Sequence, residues 1–313
     1  MSTFKNGRTM VLSHYYTSPK VQQMADFVGD SLQLAQLAAT ERPERLVFAS
    51  VRFMAEQAKI LLPNTEVILP AEQATCSLVE MTGINKMQQW KDSFPGSVLV
   101  SYVNSSVQQK AISDIIVTSA NVVDIVRYLV DKGKTVLFAN DRNMGAYLKW
   151  EFKLDIQVWE DAFCIVHDSF KEEELDIAYK GWTDGAKFLI AHPESPLAIL
   201  KRSDFVGSTT QLLNWVKNHD SSVSTIFVAT DANILYNMKR LRPELDIRPA
   251  PTYSGCHCNK CPYMEMNTEQ LVTDAINGSA GVSIDYITDE QLSAAIIPIN
   301  RMMQFSETGS VDF

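Results

Sequence analysis

The sequence has no run of about 18 apolar residues, the least that a membrane-spanning helix needs. It also lacks an excess of basic charge. Its 28 Lys and Arg stand against 37 Asp and Glu, a net charge of −9, which argues against a nucleic-acid partner. A small anionic substrate stays open, because a local polar site can sit inside an acidic protein. Cysteine is sparse and odd in number: five residues, at 76, 164, 256, 258 and 261, form no disulfide framework. The opening stretch MSTFKNGRTMVLSHYY holds one short apolar run and no cleavage-site pattern. The expectation is a soluble cytoplasmic protein whose thiols are core filler, metal ligands or nucleophiles.

What the sequence does hold is a repeat. ADFVGDS at 25–31 returns as SDFVGST at 203–209, and SDIIVTS at 113–119 has the same form. Asp26, Asp114 and Asp204 are spaced 88 and 90 residues (114 − 26 and 204 − 114), and so are the hydroxyl residues Ser31, Ser119 and Thr209. His14, Tyr102 and His192, each closing an apolar run, keep the same step. Phe48, Phe138 and Phe227 are spaced 90 and 89. Cys76 and Cys164 are 88 apart, and the 256–261 group follows 92 to 97 later. This period is longer than that of common solenoid repeats, so each copy reads as a small domain.

Each copy reads as α/β. TMVLSH, RLVFAS and TEVILP are short apolar runs of the kind found in buried parallel strands. SPKVQQMADFVGDSLQLAQLAATE and MAEQAKILL between them carry a helical pattern, with Ser18 as N-cap and Pro19 at the first helical position. The expected fold is three α/β/α parallel-sheet domains about a pseudo-threefold axis, with the active site at their junction. The expected units are 1–82, with 265–313 packing on it, then 83–170 and 171–264. Ligands of parallel sheets bind beyond the carboxyl ends of the strands, which is where HYY, YVN and HPE fall.

Three thiols, Cys76, Cys164 and one of the 256–261 group, would then converge. Three thiolates suit a [4Fe–4S] cluster with one iron free of protein ligands. Zinc on three cysteines and a fourth ligand is the main competitor, and a local site in GCHCNKCP using His257 is another. Buried structural cysteines are the plain alternative. His14 and His192, at equivalent positions, can hold a carboxylate, and Glu194 can move protons. Tyr16, Tyr102 and Asn104 offer uncharged polar groups or junction packing. Ser31, Ser119 and Thr209 read as helix caps or as anion ligands at helix N-termini. The three Asp residues read as organisers of turns.

Several segments resemble the quinolinate synthase family: HYYTSPKVQQMADFVGDSLQLAQLA, FMAEQAKIL, YVNSSVQQKAISDIIVTSAN, AHPESP, DFVGST and CPYMEMNT. The similarity runs from about residue 10 to the end. It implies an enzyme that condenses iminoaspartate with dihydroxyacetone phosphate to quinolinate, losing phosphate and water, for NAD biosynthesis. It implies an oxygen-sensitive [4Fe–4S] cluster on Cys76, Cys164 and Cys261 with one open iron. It places His14, Tyr16, Ser31, Tyr102, Asn104, Ser119, His192, Glu194 and Thr209 in the active site. Tyr102 and Glu194 are then the proton carriers, His192 and the hydroxyls hold carboxylate or phosphate, and Tyr16 closes over the substrate. An aspartate oxidase or dehydrogenase is the implied functional neighbour.

The chain departs from the family pattern at Thr75, Ala71-Glu72, Ala162 and Asp231. These changes leave open a paralogue acting on a related imine or dicarboxylate. Cys256 and Cys258 read as spare thiols, a redox pair or surface residues, the last being favoured.

Overall fold

A computed structural model describes residues 9–180, 186–220, 224–252 and 259–313. Cys256, Cys258 and the local site using His257 lie outside the described residues. Three sheets are present. The first holds β1 (Thr9–His14), β2 (Phe27–Gly29), β3 (Arg45–Ala49) and β4 (Glu66–Leu69). The second holds β5 (Val98–Tyr102), β6 (Ile115–Val117), β7 (Val136–Ala139) and β8 (Ile156–Val158). The third holds β9 (Ala186–Ala191), β10 (Phe205–Val206), β11 (Ser224–Ala229) and β12 (Asp246–Pro249). A further strand, β13 (Val282–Ser283), pairs antiparallel with β4 at the edge of the first sheet.

Every other pairing between these strands is parallel, and the sheets share one order: second strand, first, third, fourth. Three α/β units of the same topology are therefore present, as the repeat implies. The first strands are largely apolar and bury most of their residues, as strands covered on both faces do. The Phe landmarks of the third strands, Phe48, Phe138 and Phe227, are all buried.

The Asp landmarks brace the sheets. Asp26 Oδ2 accepts the Val11 N–H at 2.9 Å, Asp114 Oδ2 the Leu99 N–H at 2.7 Å, and Asp204 Oδ2 the Leu189 N–H at 2.7 Å. Each Asp N–H donates in return to the carbonyl of the same strand residue. One Asp thus ties the start of each second strand to the first strand beside it. Asp204→Ala should cost about 1–3 kcal/mol, the price of stranding a strand N–H that had a charged acceptor. Urea unfolding of the cluster-free protein measures it.

The helical reading of 18–41 needs correction. Ser18 does cap a helix, accepting from the Val21 N–H at 3.3 Å with Pro19 at the first position, but that helix ends at Met24. Phe27–Gly29 is strand β2, and a second helix, Ser31–Glu41, follows. The brace at Asp26 turns the chain into the sheet before the helical pattern can continue.

The C-terminal segment divides between two units. Helix Glu269–Ile276 lies on the first sheet, where the Arg45 guanidinium donates to the carbonyls of Ala275 (2.7 Å) and Ile276 (3.1 Å). Helix Asp289–Thr308 instead lies along helix Val107–Ile112 and β6 of the second unit, and Arg301 donates to the Asp114 carbonyl at 2.7 Å. The first two units share one large apolar core, whereas Ile190, Leu212, Val228 and Met238 form a separate core in the third. Among the described residues no helix is long and apolar enough to cross a membrane.

Candidate active site

The carboxyl ends of the strands meet at one cavity of about 70 Å³. The first strand of each unit delivers a polar pair there: His14 and Tyr16, Tyr102 and Asn104, His192 and Glu194. The turn after each second strand delivers Ser31, Ser119 and Thr209. The segment after each fourth strand delivers a thiol: Cys76, Cys164 and Cys261. Every site residue expected from the sequence lines this one cavity.

The hydroxyls are not the helix caps. Asp30 and Ser208, one residue earlier, cap helices Ser31–Glu41 and Thr209–Lys217, each donating its backbone N–H in return to a Gln side-chain oxygen. Ser31 and Thr209 therefore occupy the first helical position and line the cavity. Ser119 lies in the turn before helix Val122–Asp131.

His14 and His192 are held alike. His14 Nδ1 accepts the Tyr16 N–H at 3.1 Å, and His192 Nδ1 accepts the Glu194 N–H at 3.4 Å. An accepting Nδ1 carries no proton, so the neutral ring carries it on Nε2. Burial lowers His14 to about 4 and His192 to about 3. The 3.6 Å approach of His192 Nδ1 to Glu194 Oε1 is accordingly not an ion pair. The shift at His14 has a consequence for stability. Between pH 6.5 and about 4 the unfolded chain takes up a proton that the folded chain refuses. The contribution of His14 is therefore intact above pH 6.5 and lost as pH falls towards 4, by on the order of 3 kcal/mol. Unfolding of cluster-free wild type against His14→Asn across this range should show the difference shrinking by that amount.

Glu194 is the most connected group. Its Oε1 accepts the Tyr102 hydroxyl at 2.6 Å, and its Oε2 lies 3.0 Å from His167 Nδ1. Burial pushes the carboxyl up, but His167 and the Tyr102 hydroxyl outweigh that and hold it ionised, well below the usual carboxylate range. His192, itself neutral, adds little. Burial and Glu194 raise the Tyr102 hydroxyl far above its ordinary value. Tyr16 crosses from the first unit to the third, its hydroxyl 3.0 Å from Thr209 Oγ1 and 2.7 Å from Thr230 Oγ1.

Burial pushes the Cys76 and Cys261 thiols up to about 12 and Cys164 well above its usual value. Without a metal they are protonated, so metal binding must release protons. Asn104 Nδ2 points at Cys76 Sγ (3.7 Å), and the Cys261 N–H donates to Asp231 Oδ2 at 2.6 Å. Asp231 both lines the cavity and anchors a thiol-bearing segment. Thr75 also lines the cavity, whereas Ala162 is buried behind it.

Sequence reasoning missed two residues. His167 stands three residues after Cys164, with Nδ1 3.1 Å from its sulfur and Nε2 2.8 Å from Thr230 Oγ1. The spacing C-x-x-H was the available signal. Lys110 is wholly buried and donates to the carbonyls of Val103 (2.9 Å) and Ser105, on either side of Asn104. It therefore holds the loop that carries Asn104 to Cys76. Its signal was weak, because a lysine in a short helix reads as surface.

The family model described as Quinolinate synthetase A protein matches residues 2–304. A quinolinate synthase of Rippkaea orientalis is 39% identical over 307 residues, covering 96% of this chain and 90% of the relative. One of Cyanothece sp. (strain PCC 7425) is 40% identical over 299 residues, covering 95% and 90%. One of Synechocystis sp. is 39% identical over 303 residues, covering 96% and 92%. With a match across nearly its whole length and relatives at this identity, the chain belongs to the quinolinate synthase family.

Proposed function

We propose that this chain forms quinolinate from iminoaspartate and dihydroxyacetone phosphate, with loss of phosphate and water, using a [4Fe–4S] cluster on Cys76, Cys164 and Cys261. The observation that carries this reading is one thiol from the same topological position of each unit, all in one cavity. The donor set fits such a cluster. The sulfurs are soft, partly buried and three in number. Among the described residues the group of such donors that lies within 4.8 Å is Cys164, His167 and Glu194 and not the three thiols, which favours a cluster over a closed zinc site on them. When bound, the cluster supplies Lewis acidity at an iron without a thiolate ligand.

The protein's own groups have distinct tasks in this reading. The Nε2–H donors of His14 and His192 hold substrate carboxylates. Ser31 and Thr209, each opening a helix, hold carboxylate or phosphate with the help of backbone N–H groups, and Ser119 and Asn104 add neutral donors. Ionised Glu194 is the base. It draws a proton through the Tyr102 hydroxyl, 2.6 Å away, and returns it to a departing oxygen. Tyr16, bonded across to the third unit, closes the cavity against water. The substrate imine must come from a reaction that oxidises aspartate, an oxidase or dehydrogenase.

A second reading is a relative that condenses a related imine or dicarboxylate. Thr75 and Asp231 favour it, because both depart from the family pattern and both line the cavity. An anaerobic assay with reconstituted protein, iminoaspartate and dihydroxyacetone phosphate separates the two. Quinolinate formed with multiple turnovers supports the first. Consumption of neither substrate by fully loaded protein would reject it.

A further inference from the structure

Cys164 Sγ, His167 Nδ1 and a Glu194 carboxylate oxygen all lie within 4.8 Å of one another, the spread of ligands around a single ion. They are the three donor types that zinc accepts. Groups that orient ligands are also in place. Thr230 Oγ1 sits 2.8 Å from His167 Nε2, Tyr102 donates to Glu194 Oε1, and Asn143 donates to the Glu194 carbonyl at 3.0 Å. Such outer partners fix the tautomer of a ligating imidazole and the rotamer of a ligating carboxylate. Among the described residues no comparable imidazole contact is made by the other two thiols: Cys76 Sγ faces the Asn104 amide, and the Cys261 segment is held by its backbone N–H donating to the Asp231 carboxylate.

We infer that the chain without its cluster captures one zinc-class divalent cation on Cys164, His167 and Glu194, with a fourth position open. Binding uses His167 Nδ1, so the imidazole proton resides on Nε2 and is donated to Thr230. The Cys164 thiol proton leaves to solvent. Thiolate and carboxylate then balance the charge of the ion. Cys164 cannot hold both this ion and a cluster, so occupancy is exclusive. Resting on the proposed ligand set, the captured ion blocks reassembly of a lost cluster until it is removed.

The test is an anaerobic cobalt titration of the full-length, chelator-treated chain. One Co²⁺ per chain should bind with a thiolate-to-cobalt absorption band. Cys164→Ser should abolish the band, and His167→Gln and Glu194→Gln should weaken binding at least about tenfold, since even the loss of a group that only orients a ligand costs that much. Cys76→Ser, Cys261→Ser and Cys256→Ser should leave it unchanged. No binding, or loss of the band in Cys76→Ser or Cys261→Ser, would overturn the inference. Because variants can misfold, zinc K-edge absorption of the wild-type chain gives an independent reading. One sulfur with nitrogen and oxygen neighbours agrees, and a shell of three sulfurs does not. Prior addition of one equivalent of Zn²⁺ should also lower cluster yield on reconstitution, with recovery on chelation. The metal readouts do not depend on quinolinate formation, so failure of that activity would leave them interpretable.

Discussion

Cys76→Ala protein, purified without oxygen, should emerge colourless, with iron near background and quinolinate synthesis down at least about 10³-fold. The thiol comes from the first unit, while the other two proposed ligands come from the second and the third. Losing one of three ligands leaves a cluster with two unprotected irons, which does not survive handling. The same substitution should barely alter the fold. Cys76 is only partly buried by its neighbours, and the change removes a single sulfur, so the cluster-free variant should unfold within about 1–2 kcal/mol of the cluster-free wild type. A structural cysteine would give the reverse: intact iron content and a lower melting temperature. Iron and sulfide analysis beside thermal unfolding measures both sides.

Glu194→Gln should keep full iron and sulfide content yet lower kcat by about 10² to 10⁴, the usual range for removing a general base. The substitution retains the shape and an acceptor for the Tyr102 hydroxyl, but it removes the charge that His167 and Tyr102 stabilise. KM should change far less than kcat if Glu194 moves protons rather than holding substrate. Tyr102→Phe should produce a loss of similar size. The double variant should fall little further than either single one, because both residues serve one proton path. Losses that multiply would separate their roles. Single-turnover assays under anaerobic conditions, paired with cluster quantitation, distinguish a slow chemical step from a depleted cofactor.

The sequence made the three-unit plan legible because physical constraint recurs at a fixed step. A strand needs its brace, so Asp26, Asp114 and Asp204 keep register, and the polar residues at strand ends keep register with them. The lone Ser18-Pro19 signal was enough to locate a helix start. The continuation was misread, since DFVG is too short to show a strand period and sits between two helical stretches. The caps at Asp30 and Ser208 fall one position before the repeated hydroxyls, so the sequence pointed to the right turn but to the wrong capping residue. His167 and Lys110 were missed for another reason. Their partners, Glu194 and Thr230 for one and the carbonyls of Val103 and Ser105 for the other, are brought close only by folding. The long helix Asp289–Thr308 could be recognised as helical, but its seat on the second unit rests on contacts such as Arg301 to the Asp114 carbonyl.

Thiols from the second, third and first units share one inorganic centre in this account. Anomalous diffraction at the iron edge, from crystals grown without oxygen, asks this directly. The account predicts one compact iron signal within bonding reach of Cys76, Cys164 and Cys261 together. Iron bound at one of these cysteines alone, with the other two sulfurs remote from it, would contradict it.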